Sequence, residues 1–163
     1  MTKAKRFLPV DDATAKSVVK TLDPILLDLL ELQSHIKSAH WNLRDENFIA
    51  VHRLLDEVYK AASDASDDIA ERIRQIGGVV NAPSPRFSSE NRLPKFPSGE
   101  LNSPTAIEAV SASLQKSIQG IREGISATSD KVDEPITADL LTQHCGKLEK
   151  YLWFLDFNLI GRQ

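Results

Sequence analysis

Five side chains raise the question of chemistry. His52, Asp56, Asp67 and Glu71 lie on one long segment of helical periodicity, and His40 sits just before the polar break that precedes it, residues 42–47. At ~100° per residue the four span only about 100° of arc. The apolar residues of the same segment, Phe48, Val51, Leu55, Val58, Ala62, Ile69, Ile73 and Ile76, centre about 130° away. The polar stripe therefore points away from its own core, and such a stripe is ordinarily a solvated face. If the chain folds back at the break, however, His40 comes beside His52 and Asp56. Two imidazoles and a carboxylate are a partial ligand set for iron, zinc or manganese. Asp67 and Glu71, spaced i, i+4, present paired carboxylates on one face.

One chain does not easily unite the two groups. Asp56 and Asp67 are about 16 Å apart along a helix, whereas ligand atoms sit ~2 Å from an ion. Symmetry offers a resolution. His52 and Glu71 are equidistant from a midpoint between Ala61 and Ala62, and so are Asp56 and Asp67. Two copies of the helix packed antiparallel about that point would set His52 against the second copy's Glu71, and Asp56 against its Asp67. Ala61, Ala62, Ser63 and Ala65 are small enough there for two backbones to approach. A two-fold interface builds each site twice. A di-metal site inside one bundle would need Glu-x-x-His pairs, and no glutamate here is followed three residues later by histidine.

The elements that must hold these residues are helical. From Asp12 to about His40, apolar residues recur at threes and fours, with Pro24 either kinking the helix or starting its main portion. The second helix runs from about Phe48 to Ile76, with Asn47 as a candidate cap and Gly77-Gly78 as its stop. Residues 78–104 hold prolines at 83, 85, 94, 97 and 104, a long connection with room for a short helix. A third helix is expected over about Thr105–Ala127, where Gly120 and Gly124 weaken propensity or permit close packing. An acidic loop follows at residues 129–135, and Thr137 is expected to cap a fourth helix reaching about Leu159. Strand signals are poor. This is an all-α four-helix bundle with a long crossover connection between the second and third helices, which lets neighbouring helices lie parallel. Residues 1–11 read as a short basic tail and 12–163 as one domain.

Composition narrows the function. The chain has 163 residues with a formal net charge of −3, which does not suggest a nucleic-acid binder by bulk charge. A single cysteine, Cys145, excludes an intrachain disulfide and a cysteine zinc site. The first residues, MTKAKRFLPV, lack the apolar run of a signal peptide, and no stretch is apolar enough to cross a membrane. A cytoplasmic protein is expected.

The run His40-Trp41-Asn42, then Asn47-Phe48, His52, Asp56, Asp67, Glu71 and Gly77-Gly78, resembles the Dps family, the DNA-protecting miniferritins of starved bacteria. The stretch from Lys150 to Leu155 is similar to that family's last helix, and the resemblance covers about residues 14–160. It implies a ferritin-like fold and a hollow dodecameric homo-oligomer located in the bacterial cytoplasm or nucleoid. It also implies ferroxidase activity at di-iron centres on two-fold interfaces. There Fe²⁺ is oxidised by hydrogen peroxide in preference to dioxygen, and Fe³⁺ is stored as a mineral. One subunit would supply His40, His52 and Asp56 and its partner Asp67 and Glu71, with Glu71 bridging two iron positions. Trp41 matches the tryptophan beside the centre. It serves either as an interface anchor or as a redox-active ring that intercepts stray one-electron oxidation.

Acidic residues near the last helix in this family line three-fold pores that admit iron. Asp130, Asp133 and Asp139 stand in that region beside Glu134, and Asp139 matches best. The simpler reading is loop solvation and a carboxylate near a helix N-terminus. His35 and His144 are read as structural or surface residues, Asp64 and Asp68 as solvated neighbours, and Cys145 as a packed small residue. The rival function is a mainly structural DNA-condensing protein with secondary iron oxidation. It calls for a long basic tail, and only Lys3, Lys5 and Arg6 are basic within the first eleven residues. DNA binding is therefore expected to be weak.

Overall fold

The computed structural model describes residues 8–159; Lys3, Lys5 and Arg6 of the expected tail lie outside the described residues. The chain forms α1 (Asp12–Asn42), α2 (Phe48–Gln75), α3 (Ser84–Glu90), α4 (Ser103–Ser126) and α5 (Pro135–Phe157). Among the described residues there is no strand, only an isolated bridge between Leu43 and Leu101. The four long helices pack as a bundle around Leu22, Leu29, Leu32, Ile36, Leu55, Ile69, Ile73, Leu114, Ile121 and Leu148. The expected crossover connects α2 to α4 and contains α3 as its short helix. Among the described residues no helix is long and apolar enough to cross a membrane.

α1 begins at an Asp11 cap, whose Oδ1 accepts from the Ala13 and Thr14 amides, and continues through Pro24. A proline removes the bond to the carbonyl four residues earlier. That residue is Lys20, which is exposed, so water can satisfy the freed oxygen. The turn into α2 departs from expectation. Asn47 holds the cap position but makes no side-chain cap bond. Asp45 does the anchoring instead, accepting from the Asn47 amide and from the Ser103 amide and hydroxyl. With the Arg44 amide on Leu101 and the Leu101 amide on Asn42, the α1–α2 turn is tied to the start of α4.

α2 ends as expected. Gly77 takes φ 88°, and the amides of Gly77 and Gly78 return to the carbonyls of Arg74 and Ile73, which closes the last turn. The crossover is pinned to α1 by two arginine–aspartate pairs. Arg86 forks onto Asp23 at 2.9 and 2.6 Å. Arg92 gives Asp28 its amide, Nε and a terminal nitrogen. The glycines of α4 serve close packing: a side chain at Gly124 would meet Ile25 Cδ1 at 2.6 Å, and one at Gly120 would strike the Arg92 guanidinium.

The α4–α5 junction corrects two expectations. Residues 127–131 extend α4 as a π-helical turn, so only 132–134 form a loop. Thr137 is not the cap of α5. Glu134 is, and its Oε2 accepts from the Thr137 amide and hydroxyl. The Glu134 carboxylate serves the third amide of the helix through Oε2 and the Arg72 guanidinium of a neighbouring helix through Oε1.

Candidate metal centre

The packing of α1 against α2 around their short turn brings His40, near the end of one helix, onto His52, near the start of the other. The rings stack with centroids 3.5 Å apart and planes 24° apart. Each ring's Nδ1 lies 3.1 Å from the other residue's backbone carbonyl oxygen. A carbonyl only accepts, so each Nδ1 carries a proton, and Nε2 is the ring atom left open to a ligand. This reciprocal tie fixes tautomer and orientation together, as a metal-ligating histidine requires. Asp56, one turn beyond His52, places Oδ1 at 3.3 Å from His40 Nδ1. The ligand atoms of His40, His52 and Asp56 all lie within 4.8 Å of one another, the one such group among the described residues.

The electrostatics favour metal-ready protonation states. Burial pushes the His40 imidazole below its ordinary value, with Asp56 opposing, so the ring is neutral at pH 7. The Asp56 carboxyl is held below its usual range, chiefly by its hydrogen bond from Lys37. That lysine donates to Oδ1 at 2.8 Å and lies over the Tyr59 ring. The sequence reading missed it, although its i, i+3 spacing from His40 puts both on one helix face.

Asp67 and Glu71 do not join this group within the chain. Both are exposed, and neither has a hydrogen bond or ion pair among the described residues. The surface around them is hollow: Asp67 borders one depression with Leu26, Leu30 and Ser63, and Glu71 another with Val79 and Val80. Their neighbours on α2 are engaged. Asp64 accepts from Lys60 and Lys147, and Asp68 from His144 at 2.8 Å. Trp41 is 73% exposed.

Asp130, Asp133 and Asp139 are all exposed. Asp130 accepts from the Ser129 hydroxyl, Asp139 from the Gln143 amide, and Asp133 takes φ 52°. Glu134 does not belong with them. It is buried, and its Oε1 accepts from Arg72 at 2.9 Å. Burial pushes its carboxyl up, but the bonds from Thr137 and Arg72 together outweigh that and hold it below its ordinary value. His35 is structural: its Nδ1 meets the Ser113 hydroxyl and its ring stacks on Phe96. Burial raises the Cys145 thiol to about 11, so it stays protonated.

A four-helix bundle with a crossover and a His/His/Asp cluster on its first two helices defines a ferritin-like protein, and the family model of the ferritin-like domain matches residues 19–159. More narrowly, the chain belongs to the DNA protection during starvation (Dps) family. It is 35% identical over 155 residues to the DNA protection during starvation protein of Agrobacterium fabrum, covering 94% of this chain and 93% of that one. Its fold is similar to that of Dps from Microbacterium arborescens in a high iron form, with a TM-score of 0.87 at 28% identity over 93% of this chain and 98% of that one. A Dps of Deinococcus radiodurans gives a TM-score of 0.84 at 28% identity over 91% and 88% of the two chains.

Proposed function

We propose that the protein is a ferroxidase and iron store that oxidises Fe²⁺ with hydrogen peroxide at sites shared between two subunits. The observation that carries this reading is a difference in saturation along α2. Two imidazoles tied through Nδ1, with Nε2 left open, converge with Asp56 at one end. Asp67 and Glu71, as far beyond the Ala61–Ala62 midpoint as Asp56 and His52 lie before it, have no hydrogen bond or ion pair among the described residues. His40, His52 and Asp56 of one subunit would hold iron, the substrate, together with Asp67 and Glu71 of the partner subunit. This set of imidazole and carboxylate donors suits iron. In this pairing Glu71 of the partner subunit would lie against His52 and bridge two iron positions.

Two adjacent iron positions match the electron demand of peroxide. Each Fe²⁺ gives one electron; with two protons the O–O bond breaks to two waters, and no hydroxyl radical is released. In the same reading twelve subunits close into a shell in the bacterial cytoplasm. Asp130, Asp133 and Asp139 gather at three-fold axes and draw cations inward. Trp41 stands next to His40 as an interface anchor or a trap for stray oxidising equivalents.

Complementation tests the shared site. A His52→Ala subunit and a Glu71→Ala subunit each break both sites of their own homodimer. In a mixed pair the two defects fall on one site and leave the other wild type. Mixed shells should recover up to about half the activity and consume about two Fe²⁺ per peroxide without spin-trapped radicals. No recovery in demonstrably mixed shells overturns the reading. Protection of DNA then follows from removing iron and peroxide. Only Lys3, Lys5 and Arg6 are basic within the first eleven residues of a chain whose net charge is −3, so duplex DNA should not be retained at ~150 mM salt. Tight retention there would favour the DNA-condensing alternative.

A further inference from the structure

The outward stripe of α2 carries more than ligands. Ile49 is 56% exposed, and Val79, just past the end of the helix, is 69% exposed. At ~100° per residue Ile49 and Arg74 fall in the same arc as His52, Asp56, Asp67 and Glu71. They are also equidistant from the midpoint between Ala61 and Ala62 that relates His52 to Glu71 and Asp56 to Asp67. Around Arg74 the surface is a shallow, open depression of about 610 Å³ lined by Ala70, Glu71, Arg74, Gln75, Val79 and Val80. The Arg74 guanidinium is drawn away to the Gly78 carbonyl oxygen at 2.6 Å. Its methylene stem is left to line the hollow with Ala70, Val79 and Val80, an apolar wall beside the Glu71 carboxylate.

We propose that this hollow receives Ile49 of a second copy of the chain, forming an apolar seal at the outer end of each shared metal site. The proposal rests on the shared-site reading, because the same two-fold axis sets Ile49 over the partner's Arg74. Ile49 lies ~4.5 Å beyond His52, and Arg74 as far beyond Glu71, so the contact falls one turn outside the ligands, away from the axis. It does two things there. It excludes water from a site whose charges interact more strongly in a lower dielectric. It also fixes register, since a slip of one turn, ~5.4 Å, would lift Ile49 from the hollow and separate the ligand pairs together.

The test is cross-linking of the full-length assembled protein with a short bis-maleimide in a Cys145→Ser background. Packed helices lie ~8–10 Å apart. Ile49→Cys combined with Arg74→Cys should therefore give a covalent dimer on a denaturing gel. Either single variant should give none, because like positions lie ~37 Å apart along the paired helices. Ser63→Cys, close to the axis, reports the pairing itself. If Ser63→Cys links and the double variant does not, the seal is wrong and the shared site stands. If neither links, both readings fall, and if the single variants link as well as the double, the register is wrong. Ile49→Asp is exposed in the separate subunit and leaves its fold intact. It should shift the size distribution toward smaller species, and unchanged assembly would overturn the seal.

Discussion

Glu71 and Arg72 are neighbours in sequence and opposites in situation. Arg72 turns inward, buried, with Nε on the Thr137 hydroxyl, one terminal nitrogen on Gln75 and the other on Glu134. Glu134 in turn accepts the Thr137 amide that would otherwise be unpaired at the start of α5. Glu71 turns outward and meets nothing among the described residues. A polar network that serves the fold saturates its donors and acceptors, because an unmade bond in the interior is costly. A site that awaits a ligand keeps lone pairs open. The two histidine classes divide the same way: His35 uses its ring nitrogens on Ser113 and Glu31, while His40 and His52 spend only Nδ1.

The comparison breaks most readily at the clamp. Glu134→Ala strands the Arg72 guanidinium in the interior and uncaps α5, and should cost about 3–5 kcal/mol. Arg72→Met combined with Glu134→Gln should cost less than the sum of the single changes, since each single change strands a buried charge and the double change leaves none. Chemical denaturation of the metal-free protein measures both. A loss under 1 kcal/mol for Glu134→Ala would show that water reaches the pair.

The open carboxylates predict the reverse pattern. Glu71→Ala or Asp67→Ala should reduce rapid iron oxidation to background, while stability stays within about 0.5 kcal/mol because exposed, unpartnered groups contribute little. Asp68→Ala, which removes the partner of His144, should oxidise iron at the wild-type rate. Stopped-flow absorbance after mixing with Fe²⁺ and peroxide separates the three. Wild-type rates for Glu71→Ala would remove the basis for distinguishing open from saturated groups.

Much of this was legible in the sequence. Helical periodicity marks the four long helices, and the polar break at residues 42–47 allows a fold-back that would bring His40 beside His52 and Asp56. Long-range polar partners were not legible. Glu134 looked like one more acidic loop residue, because nothing local shows that Arg72, 62 positions earlier, reaches it across the bundle. Capping failed for a related reason. Asn47 and Thr137 have suitable side chains, but Asp45 and Glu134 bind a second element as well as the helix end, and the tertiary bond decides between candidates. Lys37 is not legible as a site residue because its i, i+3 spacing from His40 marks a shared face but not its reach across to Asp56 on α2.

Lys37 sharpens the definition of an open site, since it occupies Asp56 without belonging to a saturated network. A cation entering the cluster must displace its ammonium from Oδ1. The pair is partly exposed, so it is worth about 0.2–1 kcal/mol. Lys37→Met should therefore tighten Zn²⁺ or Co²⁺ binding, by up to about fivefold. Weaker binding in calorimetric titration would mean that Lys37 orients Asp56 toward the metal.

The smallest effect separates the histidines by pH. Burial lowers the His35 value below 6.5, so between its folded value and 6.5 the unfolded chain binds more protons than the folded one. Stability must then rise with pH across that window and level off above it. Glu31 acts oppositely: burial raises it above 4.5, so stability falls as pH rises from 4.5 toward its folded value. His40, lowered for the same reason as His35, adds slope of the same sign in the metal-free protein. His35→Asn should accordingly remove part of the positive slope just below pH 6.5, at most about 1.4 kcal/mol per pH unit for one proton. Its loss of the Phe96 stack lowers stability equally at every pH and leaves the slope untouched. Urea midpoints from pH 5 to 8 read the two apart. An unchanged slope in His35→Asn would assign all of the acid sensitivity to other groups, and the saturated histidine would then be no costlier to protonate than an exposed one.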